Sequence, residues 1–135
     1  MMKINNFNKN IILESLKIKN AIQILQKLSD KFCLIINNNK QFIGTVTDGD
    51  IRRGLLKNYN LKDKVGRICN KKAFFTKKKI SQLEVDNLLS VKKIAFFPLL
   101  DKDNRIKKVY LSSERKRAKT LTNYLLIMAG GKGKR

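Results

Sequence analysis

An internal repeat with a spacing of 64 residues is the feature that most constrains the fold of this 135-residue chain. Each copy contains a segment with apolar residues at helical spacing, then an apolar strand, a polar turn and a second apolar strand. Asn37 in the first turn aligns with Asp101 in the second, and Asp50 aligns with Glu114. One such unit cannot cover both faces of a small sheet, so the repeat predicts two copies packed against each other through their strands.

The repeat also predicts the individual elements. In the first copy we expect a short apolar segment, an amphipathic helix, two hairpin strands and a closing helix, at residues 11–13, 15–28, 32–36, 41–47 and 51–57. In the second copy Ser81 and Glu84 have the spacing of a capping box, which predicts the start of a helix. The hairpin strands and a basic closing helix of that copy are expected at residues 94–100, 106–111 and 114–120.

The segment from Gly44 to Arg53 is the best candidate for a ligand site, because it reads as a strand that leads into a helix. The strand delivers the hydroxyl of Thr47 and the carboxylate of Asp50 to the start of that helix. A carboxylate can accept both hydroxyls of a ribose, while a threonine hydroxyl and free helix amides can bind phosphate. Arg52 or Arg53 can add a charge-assisted hydrogen bond worth about 1.5–3 kcal/mol. The pattern therefore indicates a nucleotide site.

The same residues also have a purely structural interpretation. Thr47 and Asp50 can form an ordinary helix cap that needs no ligand. Gly44 can serve close packing or a bulge. Arg52 and Arg53 can be solvated surface residues. The sequence leaves this interpretation open beside the nucleotide site.

Gly44, Thr47 and Asp50, preceded by a hydrophobic strand and a polar turn, closely resemble the motif of tandem CBS-domain pairs, also called Bateman modules. The resemblance covers residues 11–121, and it implies an α/β fold of two tandem CBS repeats packed as a pseudo-twofold module. Each repeat would be a small sheet flanked by two helices. In that family the cleft between the repeats commonly binds adenosine nucleotides. The resemblance thus implies AMP, ADP or ATP as the ligand, no separate cofactor, and a homodimer formed through the CBS helices.

The second copy departs from the motif. Lys108 stands at the glycine position, Leu111 at the Ser/Thr position and Glu114 at the aspartate position. Leu111 has no hydroxyl, and the longer Glu114 would displace its carboxylate, so a ribose would lose well-placed partners there. We therefore expect one nucleotide site rather than two.

The end of the chain resembles the opening motif of sugar-phosphate nucleotidyltransferases. In those enzymes a hydrophobic strand, here Leu125 to Ala129, runs into a glycine-rich loop that wraps nucleotide phosphates. The loop residues would be Gly130, Gly131, Lys132, Gly133 and Arg135. The remainder of such an enzyme is missing, so we expect a regulatory module of an attached or separate nucleotidyltransferase, with no catalysis by this chain. Residues 125–135 are expected to be frayed or packed on a neighbouring chain.

The resemblances together imply four segments. They are a flexible N-terminus at 1–10, a first CBS repeat at 11–64, a second at 65–121 and the start of a truncated nucleotidyltransferase domain at 122–135.

The formal charge of +21 suggests a different class of function, because such a surface attracts any polyanion. The lysines are scattered, however, and no aromatic residues are interleaved with them to stack on exposed bases. Nucleic-acid binding is therefore kept only as an alternative. A structural dimerisation module that binds no nucleotide is the other alternative.

The inventory of reactive residues disfavours an enzyme. The chain has no histidine, and Cys33 and Cys69 are too far apart for a CxxC motif, so neither a metal cluster nor a nucleophile with its base is apparent. Both cysteines are expected to be reduced core residues. No segment has the length of a membrane span or of a signal peptide, which predicts a cytoplasmic protein without membrane contact.

Overall fold

The computed structural model describes residues 7–112. Its strands and helices follow in the order β1 Ile11–Leu13, α1 Ile18–Lys27, β2 Phe32–Ile36, β3 Phe42–Thr47, α2 Asp48–Leu56, α3 Gln82–Lys92, β4 Phe96–Leu100 and β5 Ile106–Leu111. Short 3₁₀ turns occupy Asn8–Asn10 and Val65–Arg67. The described residues fall into two compact units, 7–78 with 98–109 and 79–97 with 110–112.

A three-stranded sheet forms the centre of the first unit. Strand β2 lies in the middle, parallel to β1 and antiparallel to β3, so the predicted hairpin of β2 and β3 is confirmed. Helix α1 turns Ile18, Ala21 and Leu25 inward, at the spacing that places side chains on one helix face. These residues share one hydrophobic core with residues of the sheet and of α2, among them Ile12, Cys33, Ile35, Val46 and Ile51.

The segment of residues 61–70, which we call the strap, is bonded to the rest of the first unit along its length. The Val65 amide donates to the Leu16 carbonyl at 2.7 Å, and the Gly66 amide donates to the Glu14 carbonyl at 3.0 Å. At its far end Asn70 forms an isolated antiparallel bridge with Thr45 of β3. The strap therefore behaves as an irregular extra edge of the unit.

Helix α1 begins at Ile18, three residues later than the sequence indicated. The strap is the physical reason, since it pairs with Lys17 through Lys64 and holds Lys17 in an extended conformation. Helix α2 begins earlier than predicted, at Asp48 rather than Ile51, because the cap described below closes its first turn. Strand β4 begins at Phe96 rather than residue 94.

Residues 7–10 belong to the segment that the sequence assigned to a flexible N-terminus, but the structure packs them. Phe7 is buried and stacks on Phe32, with 5.8 Å between ring centroids. The buried Asn10 side-chain amide donates to the carbonyls of Asp30 at 3.2 Å and Phe32 at 2.8 Å. These contacts hold residues 7–10 in place, because breaking them would leave the buried Asn10 amide without hydrogen-bond partners.

The second unit is built on α3. The predicted capping box is confirmed, since the Glu84 amide donates to Ser81 Oγ at 3.2 Å and the Ser81 amide donates to Glu84 Oε1 at 3.4 Å. Val85 and Leu89 of this helix are buried. Tyr110 packs its ring 5.3 Å from that of Phe97. Strands β4 and β5 form a two-stranded sheet, as the repeat predicted, and residues 98–100 and 106–109 of these strands belong to the first unit.

Several predictions from the sequence lie outside the described residues. They concern the helix at 114–120, Glu114, and the strand and loop at 125–135 with Gly130, Gly131, Lys132, Gly133 and Arg135. Within residues 7–112, no helix is both long enough and apolar enough to cross a membrane.

Candidate functional site

The junction of β3 and α2 positions the predicted carboxylate. Thr47 is the last residue of β3 and the N-cap of α2, and it forms a capping box with Asp50. Both the amide and the hydroxyl of Thr47 donate to Asp50 Oδ2, at 3.0 and 3.2 Å. The structural interpretation of this pair is therefore present in the molecule, and it fixes the orientation of the Asp50 side chain.

Arg53 occupies the other oxygen of that carboxylate. Its Nη2 donates to Asp50 Oδ1 at 2.8 Å, one helical turn along α2. The Asp50 side chain is 13% exposed and that of Arg53 is 66% exposed, so the pair lies at the surface. An ion pair of this kind stabilises a protein by only about 0.2–1 kcal/mol. Breaking this ion pair therefore costs little free energy, so a ligand can replace Arg53 as the partner of Asp50, or Asp50 as the partner of Arg53.

Gly44 has a structural role in the strand. A Cβ atom at this position would collide with the carbonyl oxygen of Asn70. The close approach allows the Asn70 amide to donate to the Thr45 carbonyl at 2.8 Å and the Thr45 amide to donate back at 3.2 Å. The register of β2 and β3 also shifts between Ile35 and Ile36, next to Gly44. Close packing and a bulge both occur at this glycine.

A cleft of about 450 Å³ runs beside α2. One wall is a stripe of α2 and its C-cap with the spacing i, i+3, i+4 and i+7, which places side chains on one helix face. The lining residues are Asp50, Arg53, Gly54, Lys57, Tyr59, Arg67, Ile68, Cys69 and Asn70. The second wall is formed by residues 67–70 of the strap. Gly54 allows α2 to lie close to this wall, since a Cβ at position 54 would collide with Ile68 Cγ2.

The structure brings together some of the predicted site residues and not others. Asp50 and Arg53 line the cleft, and Thr47 reaches it only through its hydrogen bonds to Asp50. Arg52 is exposed and is not among the lining residues. Gly44 acts through Asn70, which does line the cleft.

Seven of the nine lining residues were missed by the reasoning from sequence, and the charged or aromatic ones among them are Lys57, Tyr59 and Arg67. The signal for Lys57 was its position seven residues after Asp50, two helical turns along one face. No local pattern marks Tyr59 or Arg67, which lie in the connection after α2. The Arg67 guanidinium lies 5.3 Å from the centroid of the Tyr59 ring, so the two residues also contact each other.

The cleft carries an excess of positive charge. Arg53, Lys57 and Arg67 contribute cations against the one carboxylate of Asp50. Arg67 Nη1 lies 3.8 Å from Asp63 Oδ1, at the long end of ion-pair distances. The arrangement favours a ligand with hydroxyl donors at the Asp50 end and negative charge elsewhere.

The cysteines are poorly suited to nucleophilic chemistry. Burial raises the pKa of the fully buried Cys33 to about 12. Burial also raises the pKa of Cys69 at the cleft, against a weaker opposing effect of the nearby Lys71 charge. Both are therefore thiols at neutral pH. Among residues 7–112, no three His, Cys, Asp or Glu side chains are grouped to hold a metal ion.

The corresponding position of the second copy presents no hydroxyl. Leu111, at the Ser/Thr position of the motif, is buried. Its carbonyl accepts a hydrogen bond from Gln82 Nε2 at 2.9 Å. The structure thus gives Leu111 a packing role, and Glu114 lies outside the described residues.

Comparison with known structures identifies the fold. A putative acetoin utilization protein from Vibrio cholerae has a TM-score of 0.72 at 13% identity, over 92% of this chain and 90% of its own. The CBS-domain pair of protein MJ0100, in complex with methylthioadenosine and S-adenosyl-L-methionine, has a TM-score of 0.66 at 20% identity, over 83% and 88%. CBSX2 in complex with AMP has a TM-score of 0.67 at 17% identity, over 84% and 88%.

These likenesses establish the fold. The chain has the α/β fold of a CBS-domain pair, as the resemblance in its sequence implied. Comparisons of the sequence with protein-family models and with curated proteins find no match.

Proposed function

We propose that this chain is a regulatory module that binds one adenine nucleotide, with the ribose at Asp50. The observation that carries the proposal is the carboxylate of Asp50, which the capping box holds at the edge of a positively charged cleft. The CBS pairs of MJ0100 and CBSX2 are solved with adenosine compounds, which supports an adenine nucleotide as the ligand.

In this proposal the ribose hydroxyls donate to Asp50, and Arg53 turns from Asp50 toward a phosphate. Thr47 keeps the carboxylate in place through its hydrogen bonds. Gly44 contributes by admitting Asn70 to the wall of the cleft. Regulation follows only if the nucleotide binds two states of the module with different affinity.

We extend the proposal to the partners implied by the sequence. Residues 11–64 and 65–121 would be the two CBS repeats, and 122–135 the start of a nucleotidyltransferase domain that the module regulates. A homodimer through the CBS helices is supported by exposed apolar side chains on two helices: Leu56 of α2 is 77% exposed, and Leu83 and Val91 of α3 are 80% and 70% exposed. Sedimentation analysis of the purified chain tests the homodimer.

Calorimetric titration with AMP, ADP, ATP and GTP near physiological salt tests the nucleotide site. We expect one adenine nucleotide to bind per chain, and the Asp50→Asn variant to lose binding. Glu84→Gln is the matched control, because it alters the capping box of α3 in the same way. If no nucleotide binds to the folded wild-type chain, or if both variants weaken binding equally, the proposal is wrong.

The second candidate is a structural dimerisation module. It is favoured by one observation, that both oxygens of Asp50 already have hydrogen-bond donors within the chain. In that case Asp50→Asn would change stability slightly and no nucleotide would bind.

A further inference from the structure

We propose that the cleft selects nucleotides with two or three phosphates over AMP, with Lys57 and Arg67 binding the terminal phosphates. The proposal rests on the ribose site proposed at Asp50. It goes further because it assigns an additional ligand contact to two residues that lie outside the CBS motif and that both line the cleft.

The spacing of residues along α2 supports the assignment of Lys57 to a terminal phosphate. Asp50, Arg53 and Lys57 lie on one face, and Lys57 is seven residues from Asp50. At a rise of 1.5 Å per residue, the two positions are separated by about 10 Å along the helix axis. The first phosphate of a nucleotide is bonded to the same ribose, so it stays close to the ribose hydroxyls, where Arg53 can reach it. A cation as distant as Lys57 is placed for a later phosphate.

The balance of charges in the cleft supports binding of a di- or triphosphate by Lys57 and Arg67. The ammonium of Lys57 has no ion pair among the described residues, whereas Arg53 is already paired with Asp50. Arg67 has only a long ion pair with Asp63, at 3.8 Å. Bringing these two cations to one cleft without a strong counter-charge costs free energy through their repulsion. A di- or triphosphate would remove that cost, and the single phosphate of AMP would not reach both cations.

Lys57 also has a possible structural role, and the experiment must distinguish this role from phosphate binding. It is the C-cap of α2, where a cation interacts favourably with the helix dipole. Lys27 is the last residue of α1, one position before the C-cap Leu28, and it does not line the cleft. Lys27→Gln is therefore the control for loss of a lysine at a helix end.

The experiment is calorimetric titration of the wild-type chain, a Lys57→Gln/Arg67→Gln double variant and Lys27→Gln with AMP, ADP and ATP, without divalent cations. We expect ATP to bind the wild type about tenfold or more tightly than AMP, because each phosphate contact to a cation is a charge-assisted hydrogen bond. The double variant should lose that preference while its affinity for AMP changes by less than about twofold. Lys27→Gln should behave as wild type.

Equal affinity of the wild type for AMP and ATP, or equal weakening of all three nucleotides in the double variant, would overturn the phosphate assignment and leave the ribose site standing. Absence of binding by every adenine nucleotide would refute the proposed function itself. Titration with inorganic tripolyphosphate distinguishes failure of the phosphate assignment from failure of the ribose site. Tripolyphosphate binding that disappears in the double variant supports a phosphate site at Lys57 and Arg67 even without the ribose site, and absence of tripolyphosphate binding contradicts that site.

Discussion

Asn37 Oδ1 and Asp101 Oδ1 accept the same pair of backbone hydrogen bonds in two turns that lie 64 residues apart. Asn37 accepts from the amides two and four residues later, both at 2.9 Å, and Asp101 does so at 2.8 and 3.0 Å. The turns end alike, since Lys40 and Asn104 both have a φ of 66°. The internal repeat is thus visible at the level of single hydrogen bonds.

The charge of Asp101 should make its turn sensitive to acid. The amide of Arg105 is the main cause that lowers the pKa of Asp101 in the folded chain. A carboxyl with a lowered pKa stabilises the fold above the pKa of the unfolded state, near 4, and this contribution disappears as the pH falls through the folded value. Asp101→Asn, which copies Asn37, should remove this part of the pH dependence.

Urea unfolding between about pH 7 and about pH 3 measures that effect. The stability difference between wild type and Asp101→Asn should shrink as the pH falls. A difference that is constant over this range would show that Asp101 does not carry the acid sensitivity.

Gly44→Ala should destabilise the chain by about 1–3 kcal/mol, because an added methyl must displace the backbone of Asn70 and weaken its bridge to Thr45. Gly49→Ala is the matched control. Its methyl would meet only the flexible guanidinium of Arg53, at 3.2 Å, inside a helix that favours alanine. Urea unfolding should therefore show no loss of stability for Gly49→Ala. Similar losses in both variants would contradict the packing role of Gly44.

Alkylation of the native chain should distinguish the two cysteines. Cys33 is fully buried with its pKa raised to about 12, so it should not react before unfolding. Cys69 is 9% exposed and lines the cleft, so it should react slowly, and faster at alkaline pH because burial raises its pKa. Mass spectrometry of alkylated peptides measures both rates. A nucleotide in the cleft should slow Cys69, and unchanged labelling at saturating nucleotide would place the ligand elsewhere.

Nucleic acid should bind this chain weakly and through charge alone. The formal charge of +21 predicts binding to DNA of any sequence that fades steeply between about 50 mM and about 200 mM salt. Fluorescence anisotropy with two unrelated duplexes measures it, and Asp50→Asn should leave it unchanged. Tight binding of one duplex at the higher salt would favour the nucleic-acid alternative.

The parts of the fold that local sequence determines could be predicted. The hairpin of β2 and β3 follows from apolar runs around a polar turn, and the start of α3 follows from Ser81 and Glu84. Asp50 and Arg53 could be named as candidates because both lie in the segment that leads from a strand into a helix, and the structure pairs them at 2.8 Å.

The remainder depends on contacts between distant residues. The collision that requires glycine at position 44 involves Asn70, and nothing near Gly44 in the sequence reveals it. The later start of α1 likewise depends on Lys64, through its bridge to Lys17. The second wall of the cleft was missed for the same reason, since the strap has no periodic pattern of its own.

The strap has a consequence for the covalent continuity of the chain. The amides of Ile18 and Lys19 donate to the carbonyls of Asp63 and Leu61, at 2.9 and 3.0 Å, in addition to the bonds at Val65 and Gly66. These bonds and the bridge at Asn70 join residues that precede the connection at 57–60 to residues that follow it. Cleavage of that connection by a protease should therefore leave two fragments that stay joined by these bonds, with Asp50 and Arg53 on one fragment and Arg67 to Asn70 on the other.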